Sequence, residues 1–369
     1  MSDDRRPTTE NRGKYETLIG LVEQYSPSGQ ETAAVNWLIG HMQNLGFDRA
    51  FKDEAGNAVG MMGGGDHQIV LLGHIDTVPG EIPVEIVGTM HASPLLYGRG
   101  TVDAKGPLAA FVDGVAAVGP MDGVQLIVIG AVDEERDSLG ARYVTDQYTP
   151  HFAIIGEPSQ WDRVTLGYKG SAWAEVTVRR LMTHTAGQGE SAPEAAVRIW
   201  NELQTWVAEF NVGRERAFDQ ILPTLRGFSS AEDGFEGRAT LQIGARLPED
   251  LDPPQWYEQL RELVSVSDAE LHPKGFPISA YRADKNSALV RAFLRSIRSQ
   301  GGKPGFVVKT GTADLNIVTP VWNCPAVAYG PGDSSLDHTP EEHISLEEYG
   351  WAVAVLQDVL RDLVAGLVS

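Results

Sequence analysis

The chain's 369 residues are 42% hydrophobic and 22% charged, a globular composition that excludes a fibrous or wholly disordered protein. Its 50 carboxylates against 30 lysines and arginines give a formal charge of -20, which argues against general binding of nucleic acid or of an anionic membrane. One cysteine, Cys324, excludes an internal disulfide and a thiolate zinc finger and suits a reducing compartment. Residues 1–16 are polar, and no run approaches the roughly 18 apolar residues of a membrane helix, so a cytoplasmic protein without a membrane span is expected.

Tyr15, Leu18, Ile19 and Val22 recur at helical spacing. Ser28 followed by Glu31 reads as a capping box for a second helix, with Val35, Leu38, Ile39 and Met42 as its apolar face and Gly46 as its stop. The glycine-rich MMGGGD (61–66) lacks a lysine and reads as a turn, not a phosphate loop. Buried strands are predicted at 68–73, 124–132 and 152–156, with helices over 105–118 and 137–148 between them. Continuous apolar strands alternating with helices indicate a mostly parallel sheet covered on both faces.

The rhythm changes beyond residue 162. WAEVTVRR (173–180) and ATLQIGARL (239–247) alternate apolar with polar residues, as half-exposed antiparallel strands do, and helices are predicted over 192–209 and 254–265. The buried pattern returns after residue 283, with a helix over 286–299, an apolar run at 325–329 and a closing helix over 345–366. The expected fold is α/β. A discontinuous domain with a mostly parallel central sheet takes 1–162 and 283–369, and an inserted α+β domain takes 163–282.

The polar residues suited to chemistry fall just after the buried strands, the edge at which open α/β sheets bind ligands. Strand 68–73 runs into GHIDTVPG (73–80), strand 124–132 into DEERDS (133–138) and strand 152–156 into GEPS (156–159). YGRGTVDAKG (97–106) leads into a helix, and SSLDHTPEEH (334–343) precedes the last one. His74, Asp76, Asp103, Glu134, Glu135, Glu157 and His338 can therefore meet on one rim. Two imidazoles with several carboxylates and no thiolate make the ligand set of a hydrolytic pair of Zn2+, Co2+ or Mn2+ ions. Such a pair needs one carboxylate shared by both ions, an imidazole and a further carboxylate for each, and a separate carboxylate free to take a proton from water. Asp76 follows His74 by two residues on an extended chain, where it can orient that imidazole. His343, five residues beyond His338, competes for the last imidazole position.

In this order, GHIDTVPG, GRGTVDAKG, DEE, GEPS and LDHTPEEH resemble the motifs of the M20 peptidase family, dinuclear-zinc hydrolases with a zinc-exopeptidase-like catalytic domain and an inserted lid. The resemblance covers nearly the whole chain. It implies that His74 and Glu157 hold one metal, His338 and Glu135 the other, that Asp103 bridges them, and that Glu134 is the general base. It also implies two divalent ions, Zn2+ or Co2+, and a homodimer formed through the inserted domain. His184, in LMTHTAG, resembles the histidine with which that domain reaches a partner's site, where a neutral imidazole donates to the oxyanion.

YGRGTVDAKGPLAA, LGYKGS, KTGTADLN (309–316) and GPGDSSLDHTPEEHI are most similar to a branch that releases lysine or ornithine from a small acidic amino-group carrier protein by cleaving a γ-glutamyl amide. Deacylation of free N-acyl amino acids and exopeptidase activity are the alternatives within the family. For the substrate, Arg246 is a candidate fork for an α-carboxylate, and Lys309, Thr310, Thr312, Asp314 and Asn316 form a polar loop in which Asp314 suits an ammonium group. The inserted stretch is less acidic than the rest and pairs Arg179 with Arg180 and Arg214 with Arg216, a candidate docking surface for an acidic carrier.

Overall fold

The computed structural model describes residues 13–88, 93–182 and 189–368. Two units emerge from its contacts. One takes the chain up to Gly167 together with Ala283–Val307 and Ala313–Ser369, and the other takes Tyr168–Arg282 and Val308–Thr312. Arg163–Gly167 stays with the first unit because Thr165 faces Ala328 of a buried strand.

In the first unit the apolar runs become neighbouring strands. Phe152–Gly156 lies between Ala58–His74 and Ala326–Tyr329 and is parallel to both, with Ile154 facing Leu71 on one side and Val327 on the other. Asp122–Ala131 pairs with Ala58–His74 on its other edge. Successive residues of these runs are buried, so both faces of the sheet are covered, which is why the sequence shows continuous apolar stretches and not alternation.

Strand Ala58–His74 exceeds the predicted run because its glycines turn it back on itself. Its partners in the neighbouring strand descend from Gly130 to Gln125 over Ala58–Gly63, then climb from Val124 to Ala131 over His67–His74. Gly65 has φ +144, and a Cβ there would stand 2.3 Å from the backbone of Gly123. A second pair of glycines positions the site. Gly73 faces Gly156 in the adjacent strand; a Cβ on Gly73 would meet Leu108 at 3.3 Å, and one on Gly156 would meet Phe111 at 3.0 Å. Their lack of side chains lets helix Lys105–Val118 lie close against the sheet, and so draws the loop ahead of that helix towards the strand ends.

Two local predictions are corrected. The helix expected over 137–148 is confined to Leu139–Val144. Ser28 and Glu31 form no capping box: helix Thr32–Asn44 begins after Glu31 without a side-chain cap, Glu31 accepts the Gly29 N–H at 2.7 Å, and the Ser28 hydroxyl turns to Asp76.

The second unit is a four-stranded antiparallel sheet in the order Ala269–Ile278, Gly170–Leu181, Glu236–Leu247, Leu222–Glu232. Alternation along the two central strands buries Val176, Val178, Leu241 and Ile243 in one cluster with Ile199, Leu203, Trp256 and Leu260 of helices Ala192–Phe210 and Pro253–Ser265. Both helices open with a capping box, Ser191 with Glu194 and Asp252 with Gln255. The two outer strands escaped prediction because they expose most of their residues and carry no apolar alternation. No helix among the described residues is long and apolar enough to cross a membrane.

The reversal at the glycine run has a direct test. Gly65→Ala should cost about 1–3 kcal/mol of stability, since it places a side chain in a backbone region that only glycine occupies freely. Gly64→Ala, where nothing lies within 4 Å of the added Cβ, should leave the thermal midpoint unchanged. Equal midpoints for the two variants would show that the turn tolerates a side chain at either position.

Candidate metal centre

His74 ends its strand with a buried ring. Its Nδ1 lies 2.9 Å from the backbone carbonyl of Asp76. A carbonyl only accepts, so Nδ1 carries the hydrogen and Nε2 presents a lone pair. That Nε2 faces Asp103 Oδ1 at 3.0 Å. The other oxygen of Asp103, Oδ2, lies 3.0 Å from His338 Nε2, which is also 3.0 Å from Glu135 Oε1. Ligand atoms of His74, Asp103 and Glu135 all fall within 4.8 Å of one another.

Lone pairs and carboxylates at such separations repel unless a cation lies between them. Burial opposes charge on His74, yet Asp103 and Asp76 hold its pKa well above the ordinary imidazole value. The hydrogen bonds to Asp103 and Glu135 push His338 up to about 10. For Asp103, burial works against ionisation, but the two imidazoles prevail and its pKa is lowered. The donor set of nitrogen and carboxylate oxygen, with one carboxylate set between two imidazoles, fits divalent transition-metal ions.

Glu134 stands beside this group. Burial, reinforced by Asp314, Glu157 and Glu135, pushes its carboxyl well above the usual range against the pull of His74. Glu157 directly follows strand Phe152–Gly156 in a buried position, near enough for Glu134 to sense its charge. The Asp76 carboxylate has partners beyond His74. Its Oδ1 lies 3.5 Å from His74 Nδ1, while its oxygens accept the backbone N–H groups of Glu134 at 3.1 Å and Glu135 at 3.2 Å and the Ser28 hydroxyl at 2.7 Å. The loop carrying Glu134 and Glu135 is thereby tied to the loop carrying His74.

His338 adopts φ 62 in a loop whose start is held by Glu348, which accepts the N–H groups of Gly332 and Trp161 at 3.1 Å. His343 lies apart from the centre: its Nδ1 donates to the Glu341 carbonyl, and its ring packs on Tyr97 at 4.7 Å. Sequence reasoning passed over Ser28, Arg99 and Glu342. Glu342 is fully buried and accepts the N–H groups of Val102 and Asp103. The signal available was its place inside the LDHTPEEH segment, where it reads as one more surface charge in an acidic chain.

The residues considered for substrate divide between the units. In the second, Arg246 Nη1 donates to Thr312 Oγ1 at 3.0 Å, Lys309 Nζ lies 5.8 Å from the centre of the Tyr168 ring, and Thr310 is exposed. In the first, Asp314 is buried at the start of helix Asp314–Trp322; burial pushes its carboxyl up to about 7, with His74 and Ser138 offsetting part of that cost. Asn316 accepts the Ala313 N–H at 3.1 Å and so closes the first turn of that helix. His184 lies outside the described residues. Of the paired arginines, Arg214 forks onto Asp250 at 2.9 and 2.7 Å, Arg179 meets Glu236 at 3.2 Å, and Arg180 donates to the carbonyls of Arg179 and Ser267.

The model of peptidase family M20/M25/M40 matches residues 70–362. The chain belongs to this family. It is 44% identical to a [LysW]-lysine hydrolase of Deinococcus radiodurans, over 98% of this chain and 99% of the relative. A putative [LysW]-lysine/[LysW]-ornithine hydrolase of Thermococcus kodakarensis is 40% identical over 95% of this chain and 92% of its own length. Solved structures show the same fold at lower identity. A tripeptidase of Staphylococcus aureus superposes with a TM-score of 0.75 at 18% identity, covering 95% of this chain and 97% of its own. An M20 family metallo-carboxypeptidase of Sulfolobus solfataricus gives 0.72 at 19% identity, covering 95% and 99%.

The geometry separates the two candidate histidines. His338→Ala should weaken binding of Zn2+ by more than the 10–100-fold typical of losing an outer-sphere partner, because a direct donor is lost. His343→Ala should retain the parent affinity. Competition with a chromogenic chelator measures both, and a loss confined to His343→Ala would reverse the assignment.

Proposed function

We propose that this M20 hydrolase releases lysine, ornithine or both from a small acidic amino-group carrier protein of the LysW kind by hydrolysing the amide that joins them. The reaction class rests on one observation, the Asp103 carboxylate held between two imidazoles with Glu134 beside it. The substrate class rests on the names of the near full-length relatives. His74 and Glu157 would hold one divalent ion, His338 and Glu135 the other, with Asp103 shared. Zn2+ suits these donors, and Co2+ is an alternative. When bound, such ions polarise a carbonyl and acidify water.

The remaining work falls to the chain's own residues. Glu134, adjacent to Glu135 and buried beside the centre, takes the proton of the attacking water as the new C–O bond forms. It then delivers that proton to the leaving nitrogen as the amide C–N bond breaks. Asp76 keeps the Glu134–Glu135 backbone in place. Arg246 is assigned to the α-carboxylate of the amino acid released and Asp314 to an ammonium group. The second unit is proposed to form a homodimer and to supply His184 to the oxyanion of a neighbouring subunit. Because its paired arginines are largely matched by nearby carboxylates and carbonyls, a carrier is proposed to be recognised mainly through its linked terminus and less through bulk charge.

Release of amino acid from carrier-linked lysine, N-acetyl-lysine and N-acetyl-ornithine, measured side by side with Zn2+ and Co2+, tests the reading. Carrier-linked lysine should be turned over fastest, and chelation should abolish the reaction. Preference for a free N-acetyl amino acid would replace the carrier by a small-molecule substrate, and full turnover by metal-free protein would overturn the mechanism. Glu134→Ala should keep both ions and lose about 10²–10⁴-fold in rate. Glu135→Ala should lose metal. The opposite pattern would exchange the two roles.

A further inference from the structure

Next to the metal centre, the first unit buries an ion pair that touches none of the proposed metal-donor atoms. Glu342 is 0% exposed and Arg99 8%. Glu342 Oε2 accepts Arg99 Nη1 at 2.8 Å. Its other oxygen, Oε1, accepts two successive backbone N–H groups, from Val102 at 2.9 Å and Asp103 at 3.1 Å. Arg99 also donates to two further loops: Nε to the Gly80 carbonyl at 2.9 Å, and Nη1 to the Thr339 carbonyl at 3.1 Å.

These contacts have a pattern. Gly80 ends the GHIDTVPG segment that carries His74; Val102 and Asp103 belong to the segment that supplies the shared carboxylate; Thr339 follows His338. One buried pair therefore ties together three loops that each present a donor to the centre. Stability alone does not account for it. Burying two charges is costly, and apolar replacement of such a pair is often neutral or stabilising. Positioning does account for it, because metal ligands depend on outer partners that fix their direction. The Asp103 side chain departs from the very residue whose N–H Glu342 accepts, so that bond restricts where the backbone can present the carboxylate.

We propose that Arg99 and Glu342 are positioning residues for the metal centre: acting through Asp103 and the flanking loops, they hold His74, Asp103 and His338 in binding geometry before any metal arrives. This rests on the metal-dependent reading above, but not on the identity of the substrate.

The experiment compares full-length protein with Glu342→Gln, Arg99→Lys and the double variant Arg99→Met/Glu342→Gln. Zn2+ affinity is read by chelator competition without substrate, the thermal midpoint on the metal-free protein, and kcat and KM at saturating metal. Glu342→Gln keeps an acceptor for the two N–H groups but loses the charge that Arg99 requires. It should bind Zn2+ about 10–100-fold more weakly, the range for loss of an outer partner. At saturating Zn2+ its kcat should remain below the parent value with KM near the parent's, and at limiting Zn2+ its activity should fall further. Arg99→Lys, which keeps the charge but not the fork, should fall between parent and Glu342→Gln.

The double variant removes both buried charges. Its metal-free midpoint should return towards the parent while its Zn2+ affinity stays low, a split that a purely structural role does not produce. Should Glu342→Gln alone fail to fold, the double variant decides. Parent-like Zn2+ affinity in a folded Glu342→Gln or in the double variant would overturn the proposal and leave the hydrolase reading intact. A parent protein that binds no divalent ion would instead overturn the metal-dependent reading on which both stand.

Discussion

The central constraint is a carboxylate between two imidazoles. Asp103 offers one oxygen to His74 and the other to His338, and His338 also faces Glu135. The pKa values respond from both sides: the imidazoles are raised by their carboxylates, and Glu134 and Asp314 are raised by burial and by neighbouring negative charge. Both responses reflect several carboxyl groups gathered in a buried place. The carboxylates around it behave differently. Asp76 is satisfied by two backbone N–H groups and a hydroxyl, and Glu342 by two N–H groups and a guanidinium. The surrounding carboxylates thus have backbone, hydroxyl or guanidinium donors, whereas those of the centre face the two imidazoles and one another.

The fold brings the donors together by simple means. Parallel strands buried on both faces end together, so the residues that follow them emerge at one edge. Gly73 and Gly156 then admit helix Lys105–Val118 against those strands, and the loop before that helix carries Asp103 to the same edge. Neither glycine has a chemical role. Each acts by the absence of a Cβ, and a larger residue at either position would push against Leu108 or Phe111 and move Asp103 from a distance.

The parts of this arrangement differed in how readable they were in the sequence. Buried strands announce themselves as continuous apolar runs, and the donors just beyond them stand out as polar residues at strand ends. The helices of the second unit carry clean apolar faces and capping boxes. What stayed hidden depends on pairing between distant segments. Ser28 and Glu31 show the spacing of a helix cap, but tertiary demand takes the Ser28 hydroxyl to Asp76. The turn within Ala58–His74 was visible as MMGGGD, whereas the reversal of pairing around a single neighbouring strand was not. Leu222–Glu232 and Ala269–Ile278 are strands by virtue of hydrogen bonds to central strands, not by apolar pattern. Glu342 looks like any other charge until the fold shows it buried.

The segment between the first two helices shows how far the support of the centre extends. Ser26 Oγ donates to the Ile75 carbonyl at 2.7 Å, the Thr77 N–H to the Ser26 carbonyl at 3.0 Å, and the Ser28 N–H to the Thr77 carbonyl at 3.2 Å. The Lys105 ammonium, fully buried, reaches the Gln24 carbonyl; burial drives its pKa down to about 7, against the opposing pull of Glu342 and Asp76. Ser26 and Ser28 therefore hold the loop after His74 near its start, and Arg99 holds it at Gly80. A loop held by several hydrogen bonds along its length has few alternative conformations to give up when a ligand binds. The ordering is done at folding, by groups outside the cluster of His74, Asp103, Glu135 and His338, whose ligand-type atoms are left facing one another.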